Sequence, residues 1–310
     1  MKGCHAPSKS SQGGYGDPGE YDDRWGYGDR GEYDDQGGYG DRRHAVPPLD
    51  ASESHEESMT IGHIVHGRGP VRAVVLHGWF YDWRVFEPML PALDPAVFSL
   101  AFMDYRGYGS SRTMAGAFDI DTIAADALEL VSHLGWERFA IVGHSMGGKA
   151  ALRLAANAPH RVTRILALTP VWAGAARFDS PTLNLFRGAV GDVKLRAAIL
   201  RQSTGGRLPV AWSRWLAEKS VESSTREAFG AYLESWALGD FADQIHGLPQ
   251  ETLVAVGAED AGITVDAIKT TWMAGLPNAR LQVLAECGHY PMLEQPLALA
   301  MIFERFLKGD

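Results

Sequence analysis

Cysteine is nearly missing from this chain of 310 residues. Cys4 and Cys287 are its two cysteines, so far apart that a disulfide-built scaffold is excluded and a reducing compartment is the default. Long apolar runs are absent too. No stretch approaches the roughly 18 apolar residues that would read as a membrane-spanning helix, and no apolar segment follows Met1 in MKGCHAPSKSSQGG. No secretory signal is therefore expected, and the expected location is cytoplasmic, with no membrane partner. Positive charge is in deficit, with 29 Lys and Arg against 38 Asp and Glu, and no basic stripe offers a surface to nucleic acid. A metal cluster is also missing. His63 and His66, three apart on a strand-like segment, fall on opposite faces, so neither a metal nor a cofactor is expected.

Residues 1–58 hold 13 acidic and 6 basic residues, so −7 of the net charge of −9 lies there and −2 remains for residues 59–310. Within this segment Gly-Tyr-Gly-Asp recurs at 14–17, 26–29 and 38–41, and Glu-Tyr-Asp-Asp at 20–23 and 32–35, a 12-residue repeat. Too few aliphatic side chains are present to offset chain entropy, which predicts a disordered tail. Its expected role is that of a dispensable extension, the alternative being an interaction tail of tyrosines and arginines. Met59 begins what reads as a domain start, so translation from Met59 is a second reading of the chain's beginning.

Beyond Met59, strand-like runs alternate with helical ones. Strands are predicted over 61–66, 71–77, 98–103, 139–142, 162–168, 252–256 and 281–284, and helices over 83–93, 120–134, 149–158, 266–275 and 297–307. That alternation specifies an α/β fold, a mostly parallel doubly wound sheet with helices on both faces. Residues 171–247 break the rhythm: they lack strand signals and show helical spacing around 183–190, 193–200, 211–219 and 226–238. They are expected to form an inserted helical cap over the carboxyl ends of the strands, where open α/β sheets bind ligands. The core then comprises 59–170 and 248–310, and Trp172, Trp212, Trp215 and Trp236 of the insertion are candidate substrate-binding residues, together with Trp79 of the core.

Gly143-His144-Ser145-Met146-Gly147 lies between the apolar run Phe139–Val142 and the helix-forming KAALRLAANA. A serine at a sharp strand-to-helix turn is held exposed and strained, and small residues two before and two after it let the chain pass closely. Ser145 is thus the candidate nucleophile. A serine nucleophile needs a base, a group that orients the base, and oxyanion donors. His289, in a loop after the strand 281–284 and within a Gly-His-x-x-x-x-Glu-x-Pro pattern, is the candidate base. Asp260, three residues after Gly257, is the candidate orienting acid, preferred over its longer neighbour Glu259 and over Asp266, which reads as first-turn helix charge. The backbone N–H of Met146 and that of Trp79, after Val74-Val75-Leu76-His77-Gly78, are the candidate oxyanion donors. Cys287 reads as packing rather than as a nucleophile.

His77-Gly78-Trp79, Asp104-Tyr105-Arg106-Gly107-Tyr108-Gly109-Ser110-Ser111, Gly143 through Gly148, Gly257-Ala258-Glu259-Asp260 and Gly288-His289, in this order, resemble the α/β-hydrolase superfamily over residues 60–308. The combination of His77-Gly78-Trp79 with Ser145-Met146-Gly147-Gly148 is most similar to the cofactor-free bacterial aryl esterase, perhydrolase and haloperoxidase group. This resemblance implies carboxylesterase activity through an acyl-enzyme, with perhydrolysis as an allied outcome. Members of the superfamily usually open with two strands before the His-Gly strand, and the short span from Met59 to Val71 leaves one of them short or absent. Ser145 stands where epoxide hydrolases and haloalkane dehalogenases carry aspartate, and His144 where carbon–carbon bond hydrolases of aromatic degradation usually carry asparagine. The expected partner is a small or medium carboxylic ester or lactone. Carbon–carbon hydrolysis or acyl transfer with the same residues is the alternative, and a slow-turnover ligand receptor on the same fold is a further one.

Overall fold

Val71–Leu76, Phe98–Met103 and Phe139–His144 are almost uninterrupted apolar runs, as strands covered on both faces require, and they form the centre of the sheet. A computed structural model describes residues 61–309; the repeat-bearing segment 1–58 and its expected disorder lie outside the described residues. Among the described residues there are seven strands: β1 His63–His66, β2 Val71–Leu76, β3 Phe98–Met103, β4 Phe139–His144, β5 Val162–Leu168, β6 Glu251–Gly257 and β7 Ala279–Leu284. Their order across the sheet is β1-β3-β2-β4-β5-β6-β7. β1 is antiparallel to β3 and every other pair is parallel. Of the N-terminal strands, one four-residue strand at the edge is what the described residues contain, in keeping with the short span before Val71.

The order fixes where a ligand can enter. The chain leaves β2 toward β3 on one side and later returns to place β4 on the other side of β2, so connections diverge above the carboxyl ends of β2 and β4. A crevice opens at such a switch point. Right-handed crossovers then send the β2–β3 connection to one face and the β3–β4 and β4–β5 connections to the other. Accordingly α1, Ile120–His133, packs against α2, Met146–Asn157, while the 3₁₀ helix Trp83–Ala92 packs against the terminal helix.

Between β5 and β6, all within the described residues, lie four α-helices, a short 3₁₀ helix at Ala242–Gln244 and no strand: α3 Ser180–Gly188, α4 Val193–Ser203, α5 Val210–Ser223 and α6 Arg226–Leu238. Asp179, Asp192 and Thr225 accept hydrogen bonds from N–H groups of the first turns of α3, α4 and α6, which explains why these helices start where they do. The two legs of the insertion run side by side, joined by Ala176 N–H to Ala237 O at 2.7 Å and Phe241 N–H to Ala173 O at 3.1 Å. Inside the insertion the Arg196 guanidinium lies 3.5 Å from the Phe229 ring centroid, and burial lowers its pKa to about 10.

Three predicted elements differ in detail. The helix expected at 83–93 is a 3₁₀ helix, because Pro88 and Pro91 remove the donors that α-helical bonds would use. The helix expected at 266–275 is two, α7 Val265–Thr270 and α8 Trp272–Gly275, broken at Thr271, whose ψ is −83°. A one-turn helix, α9 Pro291–Glu294, precedes the terminal helix α10, Pro296–Lys308. Among the described residues no helix is long and apolar enough to cross a membrane.

Candidate active site

β4 runs directly into Ser145, whose φ of 53° and ψ of −116° place a non-glycine residue in a sparsely populated backbone region. Two glycines make that turn passable. A Cβ on Gly143 would strike the carbonyl of Gly147, and one on Gly147 would strike the carbonyls of Leu76 and His77. The turn is further pinned by Ser145 N–H to Leu168 O at 3.0 Å and by Val171 N–H to Ser145 O at 3.0 Å.

The Ser145 hydroxyl lies 2.9 Å from His289 Nε2, and His289 Nδ1 lies 2.6 Å from Asp260 Oδ2. A carboxylate only accepts, so Nδ1 carries the proton and Nε2 is free to accept from the serine. Asp260 is buried; its other oxygen, Oδ1, accepts from Gly262 N–H and Ile263 N–H, both at 2.9 Å, which turns Oδ2 toward the imidazole. The rival acids are elsewhere: Glu259 is exposed, and Asp266 is an exposed first-turn residue of α7 paired with Lys269.

The main chain of His289 is held on every side. Its N–H donates to Ser203 O of α4 at 3.1 Å, and its carbonyl accepts from Thr169 Oγ1 at 3.0 Å and from His144 Nε2 at 2.8 Å. Burial, reinforced by the nearby His289, holds the His144 pKa well below its usual range, so the ring is neutral and keeps the Nε2 proton that it donates. Glu294 closes the loop: Gly288 N–H donates to Oε2 at 2.8 Å and Tyr290 N–H to Oε1 at 2.9 Å, with Arg207 paired to the same carboxylate. In the sequence Glu294 was visible as part of a pattern, but its service to both neighbours of His289 was not. Thr169, His144 and the Ser203 carbonyl carried no signal of this kind. Cys287 is buried, and burial pushes its thiol up to about 12.

After β2 the chain turns at Gly78, where an added Cβ would sit 2.7 Å from His144 Nδ1 and 3.3 Å from Ser145 Cβ. Only a residue without a side chain fits so close to the serine. The loop is braced by Tyr105 Oη–H to His77 O and Tyr108 Oη–H to Trp79 O, each 2.7 Å. Trp79 is itself buried; Nε1–H donates to Phe229 O of α6 at 2.8 Å and the two rings stack at 4.0 Å. No hydrogen bond among the described residues uses the backbone N–H of Trp79 or of Met146.

A cavity of about 830 Å³ opens at Ser145 and His289, a size suited to a small organic ligand. Trp79, Phe80, Phe178, Phe186 and Trp236 form one wall, Ile199, Ile263 and Ile268 contribute elsewhere, and Arg177 and Asp240 also line it. Three of the tryptophans named from sequence, Trp79, Trp172 and Trp236, line this space. Trp212 and Trp215 do not. The rotation of α5 turns Trp212 edge-on against Tyr290, with centroids 5.6 Å apart, and leaves Trp215 beside Tyr81 and 42% exposed. The aromatic residues Phe80, Phe178 and Phe186, which no spacing singled out, take their place.

The sequence profile of the alpha/beta hydrolase fold family matches residues 74–296. Among curated proteins the chain is similar to a pimeloyl-[acyl-carrier protein] methyl ester esterase of Nitrosomonas europaea, 28% identical over 251 residues, spanning 77% of this chain and 96% of that protein. A 2-hydroxymuconate semialdehyde hydrolase of Pseudomonas putida is 31% identical over 219 residues, spanning 66% of this chain and 75% of its own length. Among solved structures, a bromoperoxidase from Bacillus anthracis shares the fold with a TM-score of 0.71 at 20% identity, over 79% of this chain and 94% of the other.

Proposed function

The chain belongs to the alpha/beta hydrolase family, and on that premise we propose that it is a serine hydrolase cleaving a small or medium carboxylic ester, or a lactone, through an acyl-enzyme. The observation that carries this reading is the hydrogen-bonded line Asp260–His289–Ser145, ending at the wall of an apolar cavity. His289 Nε2 takes the hydroxyl proton as Ser145 Oγ bonds to the ester carbonyl carbon. Negative charge then develops on the carbonyl oxygen, where the unused N–H groups of Trp79 and Met146 stabilise it; each such donor is worth about 3 to 4 kcal/mol in the transition state. Collapse breaks the bond to the alkoxy oxygen, which leaves as the alcohol with the proton from His289. Water, deprotonated by His289, attacks the acyl-serine in the same geometry and releases the acid. Asp260 keeps the imidazole in one tautomer and stabilises its cation without taking the proton.

The same residues serve acyl transfer or cleavage of a carbon–carbon bond beside a carbonyl, the latter suggested by the semialdehyde hydrolase relative. Turnover of p-nitrophenyl acetate, butyrate and octanoate is the test. Steady-state hydrolysis that Ser145→Ala lowers by about three orders of magnitude or more supports the reading. A single burst without turnover favours a receptor, and inertness toward every ester refutes esterase chemistry.

A further inference from the structure

Lys149, one turn after Ser145 on α2, is a lysine with no exposed surface, and among the described residues its hydrogen bonds go to main-chain carbonyls and none to a carboxylate. Its Nζ donates to three main-chain carbonyls: Gly174 O at 3.1 Å, Trp236 O at 2.9 Å and Gly239 O at 2.5 Å. An ammonium has three protons, so this cage uses all of them and leaves none over. The three carbonyls belong to the two legs of the insertion, Gly174 to the incoming leg after β5, Trp236 and Gly239 to the outgoing leg at the end of α6. Asp240 is the nearby anion that favours the charge, Arg153 on α2 opposes it, and the Phe241 ring lies 5.8 Å away. A side chain needed only to fill this space would be apolar, because an interior cation has a large desolvation cost.

We infer that Lys149 is a positioning residue for the acyl-binding wall, its buried ammonium tying the helix that carries Ser145 to both legs of the insertion. The consequence follows from what the legs carry. Trp236, Trp172, Gly174 and Phe178 line the cavity and lie on or beside the tied segments, whereas the backbone around Ser145 is fixed by the sheet without Lys149. Loss of the cage therefore loosens the wall and not the chemistry. An acyl chain long enough to reach the insertion feels the change; an acetyl group does not. The ester comparison rests on the proposed esterase reading, and the exchange measurement below does not.

Lys149→Met keeps the stem and removes the donors. Amide hydrogen exchange in peptides covering 173–178 and 236–242 is expected to speed up by about tenfold or more, with β2 to β5 unchanged. KM for p-nitrophenyl octanoate is expected to rise by about fivefold or more, while kcat for the acetate stays within about twofold. Unchanged exchange in the legs, or an equal rise in the central strands, overturns the inference. So does loosening of the legs with an unchanged octanoate-to-acetate ratio. Loosening confined to the legs of a protein that hydrolyses neither ester supports the tie and refutes the esterase reading alone. Should Lys149→Met fail to fold, the wild-type protein provides the test, because burial lowers Nζ to about 8 while Asp240, held low by backbone N–H donors, stays an anion and Arg153 a cation. Opening the legs hydrates the amine and lets it regain a proton, so opening costs more as the pH rises above 8, and exchange in the legs relative to the strands is expected to fall between pH 7 and pH 9.5; a constant or rising ratio overturns the inference.

Discussion

A carboxylate orients an imidazole more firmly when its second oxygen is also held, and Asp260 Oδ1 is held by the N–H groups of Gly262 and Ile263. In the proposed mechanism Asp260→Asn places an amide donor or the wrong acceptor against Nδ1. We expect kcat to fall by about 10³- to 10⁴-fold, with Glu259→Gln within about twofold of wild type in the same assay. The reverse pattern would move the acid to Glu259. Glu294 makes a separate prediction. Glu294→Ala leaves the N–H groups of Gly288 and Tyr290 and the Arg207 guanidinium without their acceptor, and His289 sits between the first two. A stability loss of about 1 to 3 kcal/mol in urea melts, with a lowered kcat, is the expected result. The residues at this scale differ in how far the sequence revealed them. Ser145, His289 and Asp260 stand at strand ends that local patterning marks, so their convergence could be foreseen. Trp212 and Trp215 could not be placed, because helical spacing gives a stripe but not which neighbour that stripe faces.

At the scale of elements, α2 approaches β2 so closely that Gly147 lies against the Leu76 and His77 carbonyls. Gly147→Ala, favourable by helix propensity, must here push α2 away from the strand that leads to Trp79. Destabilisation of about 1 to 3 kcal/mol is expected, checked by thermal or denaturant unfolding, together with reduced turnover, since Met146 and Trp79 would separate. The strands β2 to β6 were legible because burial on both faces writes a continuous apolar run. The connection after β2 was legible as helical but not as 3₁₀, although Pro88 and Pro91 hold the reason. Apolar spacing around Trp83–Ala92 satisfies both kinds of helix. Similarly, nothing in the composition of 265–275 marks the break at Thr271.

For the whole molecule, Lys149 couples the insertion to stability in a pH-dependent way. Its folded pKa of about 8 is below the ordinary 10.5, so between these values the unfolded chain holds a proton that the folded chain has lost. Stability due to this group therefore rises with pH across that window and is flat below it, the charged form having a cost on the order of 3 kcal/mol. From pH 7.5 to 9.5 the unfolding free energy of wild type relative to Lys149→Met is expected to increase by about 2 kcal/mol, measured by urea melts of both proteins. A parallel course for the two would place the proton elsewhere. The sequence carries no sign of this role, since a lysine in a helix is ordinarily solvated and only the folded arrangement brings three carbonyls together on this one.

The hydrogen bonds by which Trp79, Lys149 and His289 reach the insertion all end on main-chain carbonyls: Phe229, then Gly174, Trp236 and Gly239, then Ser203. A carbonyl is supplied by any amino acid. Mutational drift in residues 171–247 can thus recut the walls around a new substrate while the attachment points survive, provided the helix ends keep their register. Insertions or deletions within the legs would be far more disruptive than substitutions, and a library that randomises side chains there at constant length is the natural starting point for redirecting specificity.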